Sequence, residues 1–260
     1  MGDESATVPR KERVRLYPAE GVVLRRRDLG EADRILTLFT DRHGKLSVVA
    51  KGVRRTQSRL AGHLEPFART NLLLAKGRNL DIVTQAMLID PFVTIHQSEL
   101  LIAYAGYFAD LLDAFSGEGQ ENRPCYELLI TSLARLDSGC DPFVTSTFFE
   151  YRLLTLMGFQ PELFKCINCG EDLAPVENGF SLAGGVVCPN CLAFDPRTTP
   201  LSVNALKYLR LIERGEFAMA LRLRLPDELR GEIDRALRGY VGSVLEREPR
   251  SLAVLRIIAN

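Results

Sequence analysis

The sequence lacks the motifs that mark the commonest enzyme active sites. The phosphate-binding pattern GxxxxGK[ST], the nucleophile pattern GxSxG and the dinucleotide pattern GxGxxG are all absent. Only three histidines occur, and none belongs to an HExxH motif or to a Cys/His pair. The sequence therefore predicts a protein that is not an enzyme.

Long apolar runs are missing as well. No stretch approaches the roughly 18 consecutive apolar residues of a membrane span. The first fifteen residues, MGDESATVPRKERVR, lack the apolar segment of a secretory signal. We therefore expect a cytoplasmic protein with no membrane partner.

Net charge is also lacking, because 33 basic residues balance 33 acidic ones. The two signs are nevertheless segregated along the chain. Residues 1–80 hold 17 Lys and Arg against 9 Asp and Glu, residues 81–160 hold 3 against 11, and residues 161–260 hold 13 of each. Such an asymmetry predicts that the N-terminal part binds a polyanion, which the acidic middle part would repel.

Short runs rich in Val, Ile, Leu and Thr follow one another from residue 15 to residue 92, separated by turn signals. Five such runs, with tight hairpins between the second and third and between the fourth and fifth, predict a five-stranded OB-fold barrel. Residues 1–14 are polar, charged and without periodicity, and we interpret them as a mobile basic arm.

Residues 93–260 predict a helical domain, so the fold class is α+β with more than one domain. Ser98 is placed to cap a helix that runs through Phe115, and Pro124 and Pro142 stand where first-turn prolines belong in two more helices. Further helical spacing covers residues 202–214 and 227–247, with Pro249 expected to stop the last helix. Residues 160–200, rich in Gly, Pro, Cys and Asn, are interpreted as an inserted module.

Four of the six cysteines form two CxxC pairs within this module, separated by 18 residues. Two such pairs at this spacing are typical of a zinc site in which two turns each present two thiolates to one ion. The candidate ligands of this structural Zn²⁺ are Cys166, Cys169, Cys188 and Cys191. A disulfide pair and a thioredoxin-like redox couple are the alternatives, and both are disfavoured by the expected compartment and by the doubled motif.

Unpaired cations are concentrated in the first three predicted strands and in the loop after them, as in GKLSVVAKGVRRTQSRL from Gly44 to Leu60. OB-folds bind oligonucleotides on this side of the barrel. The candidate DNA-binding residues are Arg25, Arg27, Arg34, Lys45, Lys51, Arg54, Arg55 and Arg59. The alternative is a solvated surface whose cations pair with Asp28, Glu31 and Asp33.

The sequence resembles the bacterial recombination mediator family RecO. The resemblance rests on a basic first strand, GEADRILTLFT, GKLSVVAKGVRRTQSRLAGHLEPF, LLLAKGRNLDIVTQA and the four-cysteine module, and it covers nearly the whole chain from Tyr17 onward. It implies an N-terminal OB domain, a helical bundle and an inserted zinc module.

The same resemblance implies a function in DNA repair. A member of this family would bind single- and double-stranded DNA and anneal complementary strands. With a RecR-like partner, it would load recombinase onto strands coated by single-stranded-DNA-binding protein, whose acidic C-terminal tail binds the helical domain. Such a protein would work at the nucleoid. The alternatives are a zinc-containing protein-interaction scaffold and an RNA-binding or transcription module.

Overall fold

The computed structural model describes residues 15–259, so the predicted basic arm at residues 1–14 lies outside the described part of the chain. The first five strands close into a barrel in which they are hydrogen-bonded in the order β1-β2-β3-β5-β4, and β4 pairs with β1. This closed five-stranded sheet confirms the predicted OB-fold. The strands are β1 (Leu16–Leu29), β2 (Asp33–Thr40), β3 (Gly44–Ala50), β4 (Arg69–Ala75) and β5 (Asp81–Asp90).

The alternation of side chains along each strand separates the interior of the barrel from its outer face. Leu36, Leu38 and Val48 belong to a buried cluster inside the barrel. Their neighbours in β2 and β3 therefore point outward. A bulge in β1 between Val23 and Arg25 shifts the pairing with β2, and the register after the bulge places Arg25 opposite Thr37 on the outer face.

The connection from β3 to β4 closes one end of the barrel. It contains a short 3-10 helix, Ala61–His63. Val53 and Leu64 from this connection are almost fully buried in the barrel cluster. The loop is thereby anchored at two points, which fixes the basic residues between them relative to the strands.

Eight helices are present among residues 15–259, and their starts follow local capping signals. The Ser98 hydroxyl accepts from the backbone N–H of Leu101, and Pro124 and Pro142 lie in first turns, as predicted. The helices are α1 (Val93–His96), α2 (Glu99–Phe115), α3 (Arg123–Asp137), α4 (Pro142–Leu156), α5 (Val203–Glu213), α6 (Phe217–Arg222), α7 (Asp227–Val244) and α8 (Arg250–Ala259).

The expectation that Pro249 stops the last helix is wrong. Helix α7 already ends at Val244, and Glu246 follows it with a positive φ of 54°. Pro249 instead directly precedes α8, where a proline costs no helical hydrogen bond. Leu252 and Leu255 of α8 are buried, so this helix belongs to the core.

The module between α4 and α5 is built on a small sheet in the order β7-β6-β8. Its strands are β6 (Asn178–Ser181), β7 (Gly185–Val187) and β8 (Thr198–Leu201), and a 3-10 helix, Pro189–Phe194, lies between the last two. Phe180 and Val186 join the core of the helices. The Ser243 hydroxyl of α7 also donates to the carbonyl of Leu182 across 3.1 Å. The module is therefore packed on the helical domain.

One continuous apolar core joins the barrel to the helices. Val22 and Phe39, on the outer face of the barrel, belong to the same buried cluster as Phe108 and Phe149 of the helical domain. This contact covers one end of the outer face and leaves the other end open. None of the helices described is long and apolar enough to cross a membrane.

Candidate nucleic-acid interface and metal centre

The outer face of β1, β2 and β3 carries cations in register. Arg25 lies opposite Thr37, and Arg27 lies opposite Ile35, two residues farther along the same face. Ile35 in turn lies opposite Val49 of β3, and Lys51 follows that strand. The end of the face that points away from the helices is therefore the basic one.

Four of the eight candidate residues are exposed and have no acidic oxygen within 4.0 Å among the residues that the structure describes. We call these four residues the open cations. One is on β1, and the other three lie at or beyond the end of β3. The open cations are Arg27, Lys51, Arg55 and Arg59.

Arg34 and Arg54 are held by Asp28. The Arg34 Nε lies 3.1 Å from Asp28 Oδ1, and the Arg54 Nη1 lies 3.5 Å from Asp28 Oδ2. Arg54 also donates to the carbonyl of Gly30 across 3.1 Å. Arg54 thus fastens the β3–β4 connection to the β1–β2 turn, and Arg34 of β2 also reaches that connection, with its Nη1 4.0 Å from Glu65 Oε1. The alternative of pairing with Asp28 therefore holds for part of the cationic set.

Arg25 and Lys45 lie against the acidic helix α2. The Arg25 Nη2 is 2.9 Å from Asp110 Oδ1 and 3.3 Å from Asp113 Oδ2. The Lys45 Nζ is 3.2 Å from Asp113 Oδ1 and 2.8 Å from the carbonyl oxygen of Asp113. The structure therefore divides the predicted set into open cations, cations that fasten a loop, and cations held by the helical domain.

The segment after α2 covers the edge of β3. The N–H of Gly119 donates to the carbonyl of Lys45 across 2.8 Å, and the N–H of Ser47 donates to Glu118 Oε1 across 2.6 Å. Gly44 adopts a φ of +60°, and a Cβ on it would lie 1.8 Å from the carbonyl oxygen of Gln120. The glycine thus permits the close approach that closes this edge.

The structure brings all four predicted metal ligands together. Their Sγ atoms lie within 4.8 Å of one another, and those of Cys169 and Cys188 are 3.8 Å apart. In a tetrahedron with metal–sulfur bonds of about 2.3 Å, the sulfur atoms are about 3.8 Å apart. The cluster therefore has the size that one tetrahedral ion requires, and the four cysteines could hold a metal ion.

Backbone N–H groups around Cys166 stabilise the thiolate form of its side chain. Burial alone would raise the pKa of this thiol, but the backbone N–H groups of Cys188 and Cys169 point at the sulfur and help to lower the pKa to about 6. The N–H of Cys188 is 3.3 Å from Cys166 Sγ. Gly170, with a φ of +78°, makes the turn after the first pair. A thiolate is the form that binds a metal.

Comparison with known proteins decides the family of the chain. Residues 14–92 match the family described as "Recombination protein O N terminal", and residues 99–253 match "Recombination protein O C terminal". The chain belongs to the RecO family. It is 40% identical to the "DNA repair protein RecO" of Roseiflexus sp. (strain RS-1), over 94% of this chain and 86% of that protein.

Two further relatives in the RecO family carry the same name. The DNA repair protein RecO of Dehalococcoides mccartyi (strain CBDB1) is 38% identical over 91% of this chain and 93% of its own length. That of Symbiobacterium thermophilum is 35% identical over 91% of this chain and 95% of its own length. The family is one of DNA repair proteins, and the match extends over both parts of the chain.

The helical domain of this RecO-family chain contains a cleft that the sequence did not indicate. Arg135 of α3 stacks over Phe217, with its guanidinium carbon 3.6 Å from the ring centroid, and has no carboxylate partner among residues 15–259. Arg152 and Arg222 line the two adjoining halves of the cleft. We call this feature the Arg135 cleft. Residues 81–160 contain only three cations, and no local pattern in the sequence indicated that Arg135 and Arg152 would meet in one cleft.

Proposed function

We propose that the chain is a recombination mediator that binds single- and double-stranded DNA through the outer face of its barrel and anneals complementary strands. With a RecR-like partner, it would help to load recombinase onto strands coated by single-stranded-DNA-binding protein, and it would do so at the nucleoid. The reaction breaks and forms no covalent bond, so the protein acts without being an enzyme.

The observation that carries this proposal is the group of open cations at the uncovered end of the barrel. Arg27, Lys51, Arg55 and Arg59 are exposed on one side of an OB-fold and lack acidic partners in the described part of the chain. Cations in this state are free to neutralise phosphates, which gives affinity that depends on salt and is largely indifferent to base sequence. The membership in a family of DNA repair proteins supports the same ligand.

Annealing follows from charge neutralisation and proximity. Two DNA strands repel each other through their phosphates, and a cationic surface that holds both lowers this repulsion. Base pairing then supplies the free energy, so no nucleotide has to be hydrolysed. Arg34 and Arg54 would contribute to the surface charge while their bonds with Asp28 keep the loop in place.

We assign a structural zinc ion to the four-cysteine cluster. Four thiolates fill a tetrahedron and leave no position for a substrate, so the ion would stabilise the module and take no part in chemistry. The Sγ separations and the N–H group that points at Cys166 fit this ion. The zinc would stabilise the fold of residues 166–191 and would not contact the residues proposed to bind DNA.

The acidic C-terminal tail of single-stranded-DNA-binding protein would bind in the Arg135 cleft. Such a tail needs cations without acidic partners next to apolar surface, and Arg135, Arg152 and Phe148 supply both within one cleft. The guanidinium of Arg135 already lies over the rings of Phe148 and Phe217, which holds it in place for a carboxylate.

The proposed function is tested by strand annealing without ATP. Complementary strands are coated with single-stranded-DNA-binding protein, and their pairing is followed with the parent protein, with a Lys51, Arg54 and Arg55 triple alanine variant, and with a control in which Arg214, Arg235 and Arg247 become alanine. The control removes the same charge from the exposed surface of the helical domain. We expect fast annealing by the parent and the control, and slow annealing by the first variant. Failure of the parent to anneal or to bind DNA at low salt would favour a protein-interaction scaffold.

A further inference from the structure

Asp113 of helix α2 bonds two of the cations that the sequence assigns to DNA. Its Oδ2 lies 3.3 Å from the Nη2 of Arg25, and its Oδ1 lies 3.2 Å from the Nζ of Lys45. No other side chain among residues 15–259 bonds this carboxylate, and the Asp113 side chain is 28% exposed. It therefore bridges a cation of β1 and a cation of β3 and remains partly exposed to solvent.

Asp110, one turn earlier in α2, has a different role. Its Oδ1 pairs with Arg25, but its Oδ2 accepts from both the N–H and the hydroxyl of Ser251, at 3.1 Å and 3.0 Å. The Asp110 side chain is 9% exposed. It therefore holds the start of α8 in place, whereas Asp113 makes contacts with the cations of the barrel alone.

The cations that Asp113 holds are continuous with the open cations. Arg25 and Arg27 point to the same face of β1 and are about 7 Å apart along the strand. Arg25 keeps 48% of its side chain exposed, so a phosphate can approach it from solvent. Along the outer face of the barrel, the open cations are therefore followed, toward the helical domain, by cations that are already paired with acidic residues of α2.

We propose that Asp113 sets the DNA affinity of the barrel by competing with phosphates for Arg25 and Lys45, and that it marks the inner limit of the DNA path. This inference rests on the proposed function, since it concerns the strength and extent of DNA binding on the same face. A carboxylate offers a guanidinium two oxygens in the arrangement that a phosphate also offers. DNA that extends toward the helices must displace Asp113 to gain these two contacts.

The first test compares the parent with Asp113→Asn in binding to a single-stranded oligonucleotide across a range of salt concentrations. For a single strand, counterion release by one additional phosphate contact steepens the slope of log K against log salt by about 0.7 and raises affinity about fivefold near 0.1 M salt. We expect a gain of this size for Asp113→Asn. The control is Glu99→Gln, which removes one exposed negative charge from the first turn of the same helix and should change affinity less than about twofold.

The second test uses Arg25→Gln with Lys45→Gln and does not depend on how well Asp113→Asn folds. In the parent Asp113 holds both cations and Asp110 also holds Arg25, so their loss should weaken DNA binding much less than Lys51→Gln with Arg55→Gln does. In the Arg25/Lys45 double variant, Asp113→Asn should no longer increase affinity. This double-mutant cycle distinguishes two causes of a higher affinity in Asp113→Asn: the release of Arg25 and Lys45 for DNA, and the general loss of one negative charge.

The two sets of results distinguish the inference from the function on which it rests. If the parent binds DNA but Asp113→Asn behaves like Glu99→Gln, or if Arg25→Gln with Lys45→Gln weakens the parent as much as Lys51→Gln with Arg55→Gln, Asp113 does not compete with DNA. If the parent does not bind DNA at low salt, the proposed function itself fails. Thermal unfolding of each variant confirms that the protein compared is folded.

Discussion

The guanidinium of Arg25 lies 2.9 Å from the carboxylate of Asp110, so the first strand of the barrel is bonded to the first long helix of the helical domain. A second bond between the two parts joins the Tyr126 hydroxyl of α3 to Glu20 Oε1 of β1 across 2.8 Å. Together with the shared apolar core, these contacts fix the barrel relative to the helices. The basic face therefore ends at a defined boundary.

Removal of one thiol from the cysteine cluster should release the metal. We expect the parent to carry about one zinc per chain and Cys191→Ser to carry much less, because a tetrahedral site needs all four ligands. Metal analysis of the purified proteins measures this, and thermal unfolding should show a less stable module. Cys140→Ser is the matched control, since Cys140 lies outside the cluster and is not fully buried. Equal zinc content in parent and Cys191→Ser would refute the assignment.

Glu150 should make stability depend on pH. Burial raises the pKa of this carboxyl from 4.5 to about 7, although the nearby Arg238 acts in the opposite direction. The folded state therefore binds more protons than the unfolded state between these pKa values, and stability falls as the pH rises through this window. Glu150→Gln cannot ionise, so its free energy of unfolding should increase relative to that of the parent between pH 5 and pH 8.

Urea unfolding at the two pH values measures this difference. Glu121→Gln is the control, because Glu121 is exposed. For this variant, the difference in free energy of unfolding from the parent should be the same at pH 5 and pH 8. A Glu150→Gln variant whose stability relative to the parent is the same at pH 5 and pH 8 would show that Glu150 does not titrate in this window.

Arg152→Ala should weaken the binding of an acidic peptide that copies the tail of single-stranded-DNA-binding protein. Loss of one partly exposed ion pair costs about 1 kcal/mol, or about fivefold in affinity. Fluorescence anisotropy with a labelled peptide measures this. Arg247→Ala serves as the control, because Arg247 is exposed and does not line the Arg135 cleft. Equal peptide affinity in both variants would place the tail elsewhere.

Local signals in the sequence predicted most of the fold. Ser98 and Pro142 start their helices as predicted because capping depends on residues within one turn. The four cysteines were found by spacing alone, since each CxxC turn fixes two sulfur atoms. Pro249 was misread because a proline is compatible with either end of a helix, and only the burial of Leu252 and Leu255 shows that another helix follows.

The candidate DNA-binding residues were predicted as one set, and the structure divides them. Arg25 and Lys45 are bonded to residues 85 and 68 positions away, respectively. No local pattern indicates which distant carboxylate will meet a given cation. The Arg135 cleft was missed for the same reason, because Phe217 of α6 reaches Arg135 of α3 only where both helices pack on α4. The excess of basic residues in the N-terminal part predicted which domain carries the cations, but only the tertiary structure shows which of these cations lack an acidic partner.

The most direct test of the DNA-binding face is the salt dependence of single-strand binding by the parent and by Arg27→Ala/Lys51→Ala/Arg55→Ala. We expect the parent to bind at low salt, and we expect the variant to lose about two units of the slope of log K against log salt, with an affinity about a hundredfold lower near 0.1 M salt. An unchanged slope and affinity in the variant would contradict the account, because DNA would then bind outside the open cations.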